Sequence, residues 1–133
     1  MKRNSTAKPA AINRIWALVD ECKLPGWDGN GAAPISKNAA ERSVEFVRAM
    51  PDEIPLPEFA PEPDGSISLD WIKSKGRLLS LSVGATDRIA YAWLDGLDRG
   101  HAVAVFDGES IPWRILEEIK GIMNRENAAV RAS

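Results

Sequence analysis

Cysteine and histidine are nearly absent: the 133-residue chain carries one of each, Cys22 and His101. A lone cysteine excludes an intrachain disulfide and any cysteine-built zinc site within one chain, and it fits a reducing compartment. A lone histidine leaves nucleophilic and zinc chemistry without a companion, so His101 reads as an ordinary residue at a strand start. Long apolar runs are also missing. No stretch approaches the roughly 18 residues of a membrane span, and the basic head Met1-Lys2-Arg3 is not followed by the apolar core of a signal peptide. A cytoplasmic protein with no membrane contact is the expectation. Charge of one sign is lacking as well: 17 basic against 19 acidic side chains give −2. Residues 1–50 carry +3, residues 51–110 −6 and residues 111–133 +1. The basic portion is not clustered, so the sequence has no nucleic-acid footprint.

What the chain does have is apolar content of 44% and five Trp, against four Phe and Tyr together. A chain of this length buries roughly two-thirds of its unfolded surface, enough for one core without a metal or disulfide. Residues 1–9 read as a flexible tail, 10–124 as a single domain and 125–133 as a frayed end. Ile12, Ile15, Trp16 and Val19 recur at helical spacing, with Pro9 suited to a first turn and Pro25-Gly26 as the stop. Ser36 is a good N-cap for a second helix, striped by Ala40, Val44, Val47 and Met50, widened by Phe46 and ended by Pro51. Residues 51–65 hold five Pro and read as an acidic extended traverse without a ladder of its own.

From Asp64-Gly65 the period changes to two. Segments around 66–71, 78–83, 88–93 and 102–106 alternate between short turns and predict a four-stranded antiparallel meander. After Asp107-Gly108, Ser110 is the expected N-cap and Pro112 a first-turn residue of a last helix, striped by Ile115, Leu116, Ile119, Ile122 and Met123. The order α-α-β-β-β-β-α predicts an α+β domain with the helices on one face of the sheet. The large alternating residues, through Val103 and Val105, define the core face. The other face then carries Ser68, Asp70, Ser80, Ser82, Ala90, Ala92, Ala102 and Ala104. Such a smooth surface permits close approach of another protein, a second copy, or one of the chain's own helices.

The most constrained stretch is Leu24-Pro25-Gly26-Trp27-Asp28-Gly29-Asn30-Gly31-Ala32-Ala33-Pro34-Ile35. Counted from Asp28, an EF-hand needs an oxygen ligand at position five and Glu at position twelve, but Ala32 and Ala39 stand there. No Gly-Lys-Ser/Thr follows, and the loop does not leave a strand, so neither a phosphate loop nor a dinucleotide fingerprint is present. No Gly-x-Ser-x-Gly elbow occurs. Nothing in these motifs calls for a metal or a cofactor. Two readings remain for Asp28 and Asn30: backbone-bonded turns with Trp27 plugging the edge of the core, or a surface that meets a ligand or partner. Asp70 and Arg88 could pair in mid-sheet, and Trp113, off its helix stripe, is the tryptophan best suited to anchor an interface.

Two stretches together resemble a group of small uncharacterised bacterial proteins: Trp27-Asp28-Gly29-x-Gly31-Ala32-x-Pro34-Ile35 and Asp64-Gly65-x-Ile67-x-Leu69-x-Trp71. In that group the loop precedes a helix, and a Pro-rich passage leads to an Asp-Gly hairpin strand. Gly26 departs from the Asn or Ser expected there. The resemblance implies an accessory-genome product of the kind carried by mobile elements or beside toxin–antitoxin and phage-defence genes, and it implies no activity. The expectation is a non-enzymatic protein-interaction module that binds another protein or itself, antitoxin- or immunity-like in form, with the Ser/Ala face, Trp113 and the 27–31 loop as its contact surfaces. The alternative is a small-molecule site or minor enzyme using Asp28, Asp70 and Arg88.

Overall fold

The computed structural model describes residues 7–124; the expected flexibility of residues 1–6 and fraying of 125–133 lie outside them. Helix α1 (Lys8–Glu21) begins two residues before the domain start expected from sequence and takes Pro9 in its first turn, where a missing N–H costs nothing. Ile15, Leu18 and Cys22 form its buried stripe, with Ile12 and Val19 partly buried beside them. Trp16, expected on the stripe, is 40% exposed. Its position four residues before Asp20 puts it on the edge of the helix face, where it lines a groove towards the next helix. Helix α2 (Lys37–Ala49) is capped as expected: Ser36 Oγ accepts from the Ala39 N–H at 3.3 Å. Ala40, Val44, Phe46, Val47 and Met50 are all buried.

Five strands, not four, follow in a single antiparallel sheet of order β1-β2-β3-β4-β5. They are β1 (Glu58–Pro61), β2 (Ile67–Ser74), β3 (Arg77–Val83), β4 (Arg88–Asp95) and β5 (Asp98–Val105). The added strand lies within the Pro-rich traverse and pairs Phe59 with Leu69 and Ala60 with Ser68. Proline is tolerated there for a geometric reason. The Glu62 N–H donates to Ser66 O at 2.9 Å, so the even-numbered residues bond to β2. The Pro61 nitrogen then faces the open edge, where no N–H is required.

All three helices share one core with the inner face of the sheet, on which Ile67, Leu69, Trp71, Leu79, Leu81, Val83 and Ile89 are buried. Phe46 packs on Trp71 and edge-on to Phe106, with ring centroids 6.2 and 5.5 Å apart. Helix α3 (Trp113–Asn124) buries Ile115, Ile119 and Ile122. It starts later than Ser110 suggested. Asp107 Oδ1 takes the Glu109 and Ser110 N–H groups at 2.8 and 2.9 Å, and the Pro112 carbonyl receives the first helical bonds, from Ile115 and Leu116. None of the described helices is long and apolar enough to cross a membrane.

The fifth strand runs in the opposite phase from that expected. A two-residue turn, Gly96-Leu97, takes the place of the loop expected from sequence over Asp95–Gly100, and Gly96 adopts φ 67°, as the first position of a tight hairpin turn requires. That turn fixes Asp95 opposite Asp98, and hence Tyr91 opposite Ala102 and Ile89 opposite Ala104. Opposed residues share a face. Ala102 and Ala104 therefore join the core side, and Val103 and Val105, each 57% exposed, turn outward. Alternation of Ala with Val gives the period but not the phase; the turn length decides it. His101 sits in mid-strand, not at its start.

A candidate interaction face and its supports

The loop at 26–31 is closed by its own bonds. Gly26, Gly29 and Gly31 adopt φ of 75°, 81° and 81°, a region that favours glycine, with Asn the next most tolerant residue. Asp28 Oδ1 accepts from the Asn30 N–H at 2.8 Å and the Ala32 N–H at 3.1 Å. Those two donors, Asn30 first, hold the Asp28 carboxyl below its ordinary range. Trp27 packs against the core and donates its Nε1–H to Ala33 O at 2.7 Å. Asp28 Oδ1 thus bonds the local backbone and closes the corner.

That corner docks on the β1–β2 turn. The Ala33 N–H donates to Pro63 O and the Ser36 N–H to Gly65 O, both at 2.8 Å. Gly65 adopts φ 95°, and a Cβ there would stand 3.0 Å from Pro34 O. The two stretches that carry the sequence resemblance are therefore in direct backbone contact, which is why each needs small residues at the junction.

Asp70 and Arg88 are not brought together. On the outer face the row through Asp70 runs Glu58, Asp70, Ser80, Ala92, His101, whereas Arg88 faces Val105 at the start of β4. Among the described residues no ion pair joins them. Asp70 Oδ1 instead accepts from Ser68 Oγ at 2.6 Å and Ser80 Oγ at 2.5 Å, and Ser82 Oγ donates to Glu62 Oε1 at 2.6 Å. The carboxylates on the β1–β2 side are thus matched to serine hydroxyls. Towards β5 the face has an apolar middle, through Leu78, Leu94, Ala90, Ala92, Val103 and Val105, flanked by Arg88, Arg99 and His101. Two adjoining shallow depressions of about 270 and 710 Å³ lie on this side, sharing Ser80, Ala92 and His101.

Trp113 is 66% exposed at the first residue of α3, with the Arg114 guanidinium 5.1 Å from its ring centroid. Because α3 packs over β2 and β3 on the inner side, Trp113 is separate from the outer face. The expected contact residues therefore fall in three places: the 26–31 corner, the start of α3 and the outer sheet face. Asp28, Asp70 and Arg88 do not form one pocket. Cys22 is buried, and burial first, then Glu21, pushes its thiol up.

Two basic residues that the sequence did not flag hold helix ends. Lys8 Nζ donates to Met50 O at 2.6 Å and Arg48 O at 3.0 Å, closing the C-terminus of α2. Arg77 Nη2 donates to Ile122 O at 3.1 Å and Gly121 O at 3.2 Å, closing that of α3. Both put positive charge where helix carbonyls and the macrodipole favour it. Their partners lie 40 or more residues away, so no local signal marks them. No family model, curated protein or solved structure matches the chain.

Proposed function

We propose that this chain is a non-enzymatic protein-interaction module whose contact surface is the outer face of its sheet. The observation that carries this reading is the one-sided placement of the helices. With all of the helical cover on the inner face, Val103, Val105, Ala90 and Ala92 are left exposed on a regular, backbone-satisfied surface. The small residues allow a partner backbone to approach closely, and the Asp70–Ser68–Ser80 cluster offers a polar mark beside the apolar half. A cytoplasmic, bacterial accessory role of antitoxin or immunity type is the form of this module that the resemblance favours.

The test is a pull-down from native lysate with the intact chain, Ala92→Glu in the middle of the face, and Leu97→Glu at the fully exposed hairpin tip as control. The reading requires specific partners that Ala92→Glu loses and Leu97→Glu keeps. Capture that is indifferent to Ala92→Glu would sink it.

A further inference from the structure

The two edges of the sheet are treated differently. The β1 edge is four residues long, ends in Pro61 and carries Glu58, features that discourage pairing with another strand. The β5 edge is eight residues long, has no Pro or irregular register, and carries its charges, Asp98 and Arg99, only at its first two residues. The Phe106 N–H donates to Asp87 O at 2.8 Å, so the even-numbered residues of this strand bond to β4. The N–H and C=O groups of Arg99, His101, Val103 and Val105 consequently point out from the open edge. The helices pack over β1, β2 and β3, which leaves that edge approachable.

We infer that a second copy of this chain pairs with β5 antiparallel about a twofold axis at Val103, joining the two sheets into one of ten strands. The inference rests on the reading of the sheet as an interaction surface and names its partner. Charge complementarity selects the register. When Val103 faces its own copy, Arg99 stands opposite Asp107 twice, once at each end, and His101 stands opposite Val105. A twofold axis at a neighbouring residue breaks both Arg99–Asp107 pairs. The same register lays exposed Val103 against its own counterpart, where a β-branched cross-strand pair is favourable. Asp107 already uses Oδ1 on its own loop, which fixes its carboxylate near the end of the strand.

Analytical ultracentrifugation of the full chain from about 1 μM to about 1 mM covers the range in which so small an interface dissociates. The expected result is a concentration-dependent monomer–dimer equilibrium. Arg99→Glu replaces two attractive pairs with two repulsive ones and weakens it about tenfold or more. Val103→Cys gives a covalent dimer on mild oxidation, because opposed residues of a bonded pair have Cα atoms about 5.5 Å apart, within disulfide reach. Leu97→Cys does not, and buried Cys22 supplies no competing thiol. Circular dichroism confirms that each variant is folded. A monomer at every concentration overturns the edge pairing and leaves the outer-face reading to its own pull-down. A dimer that Ala92→Glu breaks while Arg99→Glu and Val103→Cys leave no mark also overturns it, and assigns association to the outer face instead.

Discussion

Arg77 and Asp95 face each other across the β3–β4 ladder, with Nε 3.4 Å from Oδ1 and both side chains close to fully buried. The guanidinium does two jobs at once, since its Nη2 also closes the last turn of α3. Removing it leaves a buried carboxylate and exposes helix carbonyls in the same step. Arg77→Ala should therefore destabilise the fold by about 3 kcal/mol, the scale of a buried pair broken on one side. Arg77→Lys should recover only part of this, because a single ammonium cannot serve carboxylate and carbonyls in a planar fork. Urea unfolding of the three proteins measures both steps.

Glu118, on α3, is pushed up from its ordinary value near 4.5, by burial first and then by Asp98 and Asp95 of the β4–β5 hairpin. A carboxyl raised in the folded state favours folding when it is neutral. Its contribution is fully present below about pH 4.5 and is lost as pH rises through the raised value. At neutral pH the ionised side chain is thus a small liability. Glu118→Gln should raise Tm at pH 7, and the gain should vanish by pH 4. A gain of equal size at both pH values would place its origin elsewhere.

Gly65 lies where the 26–35 stretch and the β1–β2 turn meet backbone to backbone. Its φ of 95° disfavours any side chain, and the Pro34 carbonyl stands where a Cβ would go. Gly65→Ala should cost about 1–3 kcal/mol through backbone strain and the forced retreat of Pro34. Gly29→Ala makes the informative comparison, because its φ is also positive while nothing crowds it. The difference between the two variants in thermal melts isolates the contact from the strain.

Elements whose signal is local were legible in the sequence. The stripe from Val44 to Met50, the Ser36 cap and the alternation from Ile67 to Trp93 each reflect a residue's relation to neighbours within one or two turns. The strand at Glu58–Pro61 was hidden because proline content argues against a ladder, and only the parity of bonding shows that Pro61 gives up nothing. The phase of β5 was hidden because Ala and Val alternate with too little contrast in size, so that one turn residue more or less reverses the faces. For the 26–31 corner, the sequence supplied the reason to discard metal and phosphate chemistry. What Asp28 bonds to instead required coordinates.

Asp70 lies in the middle of the outer face and, by accepting both Ser68 and Ser80, keeps a charged, hydrated spot beside the apolar half towards β5. The cluster is only half-buried, so its contribution to folding is modest: on removal of the carboxylate the two hydroxyls can turn back to water. Its larger effect is on what the face tolerates. Asp70→Val fits a strand and should change the unfolding free energy by no more than about 1 kcal/mol. The same change extends the patch formed by Leu78, Ala92 and Val103 across to β2, and patches of that breadth associate without selectivity. The expected outcome is an unchanged urea midpoint together with increased binding of a hydrophobic dye and non-specific capture of lysate proteins. If the midpoint falls sharply while dye binding stays flat, Asp70 holds the sheet together and does not set the selectivity of the face.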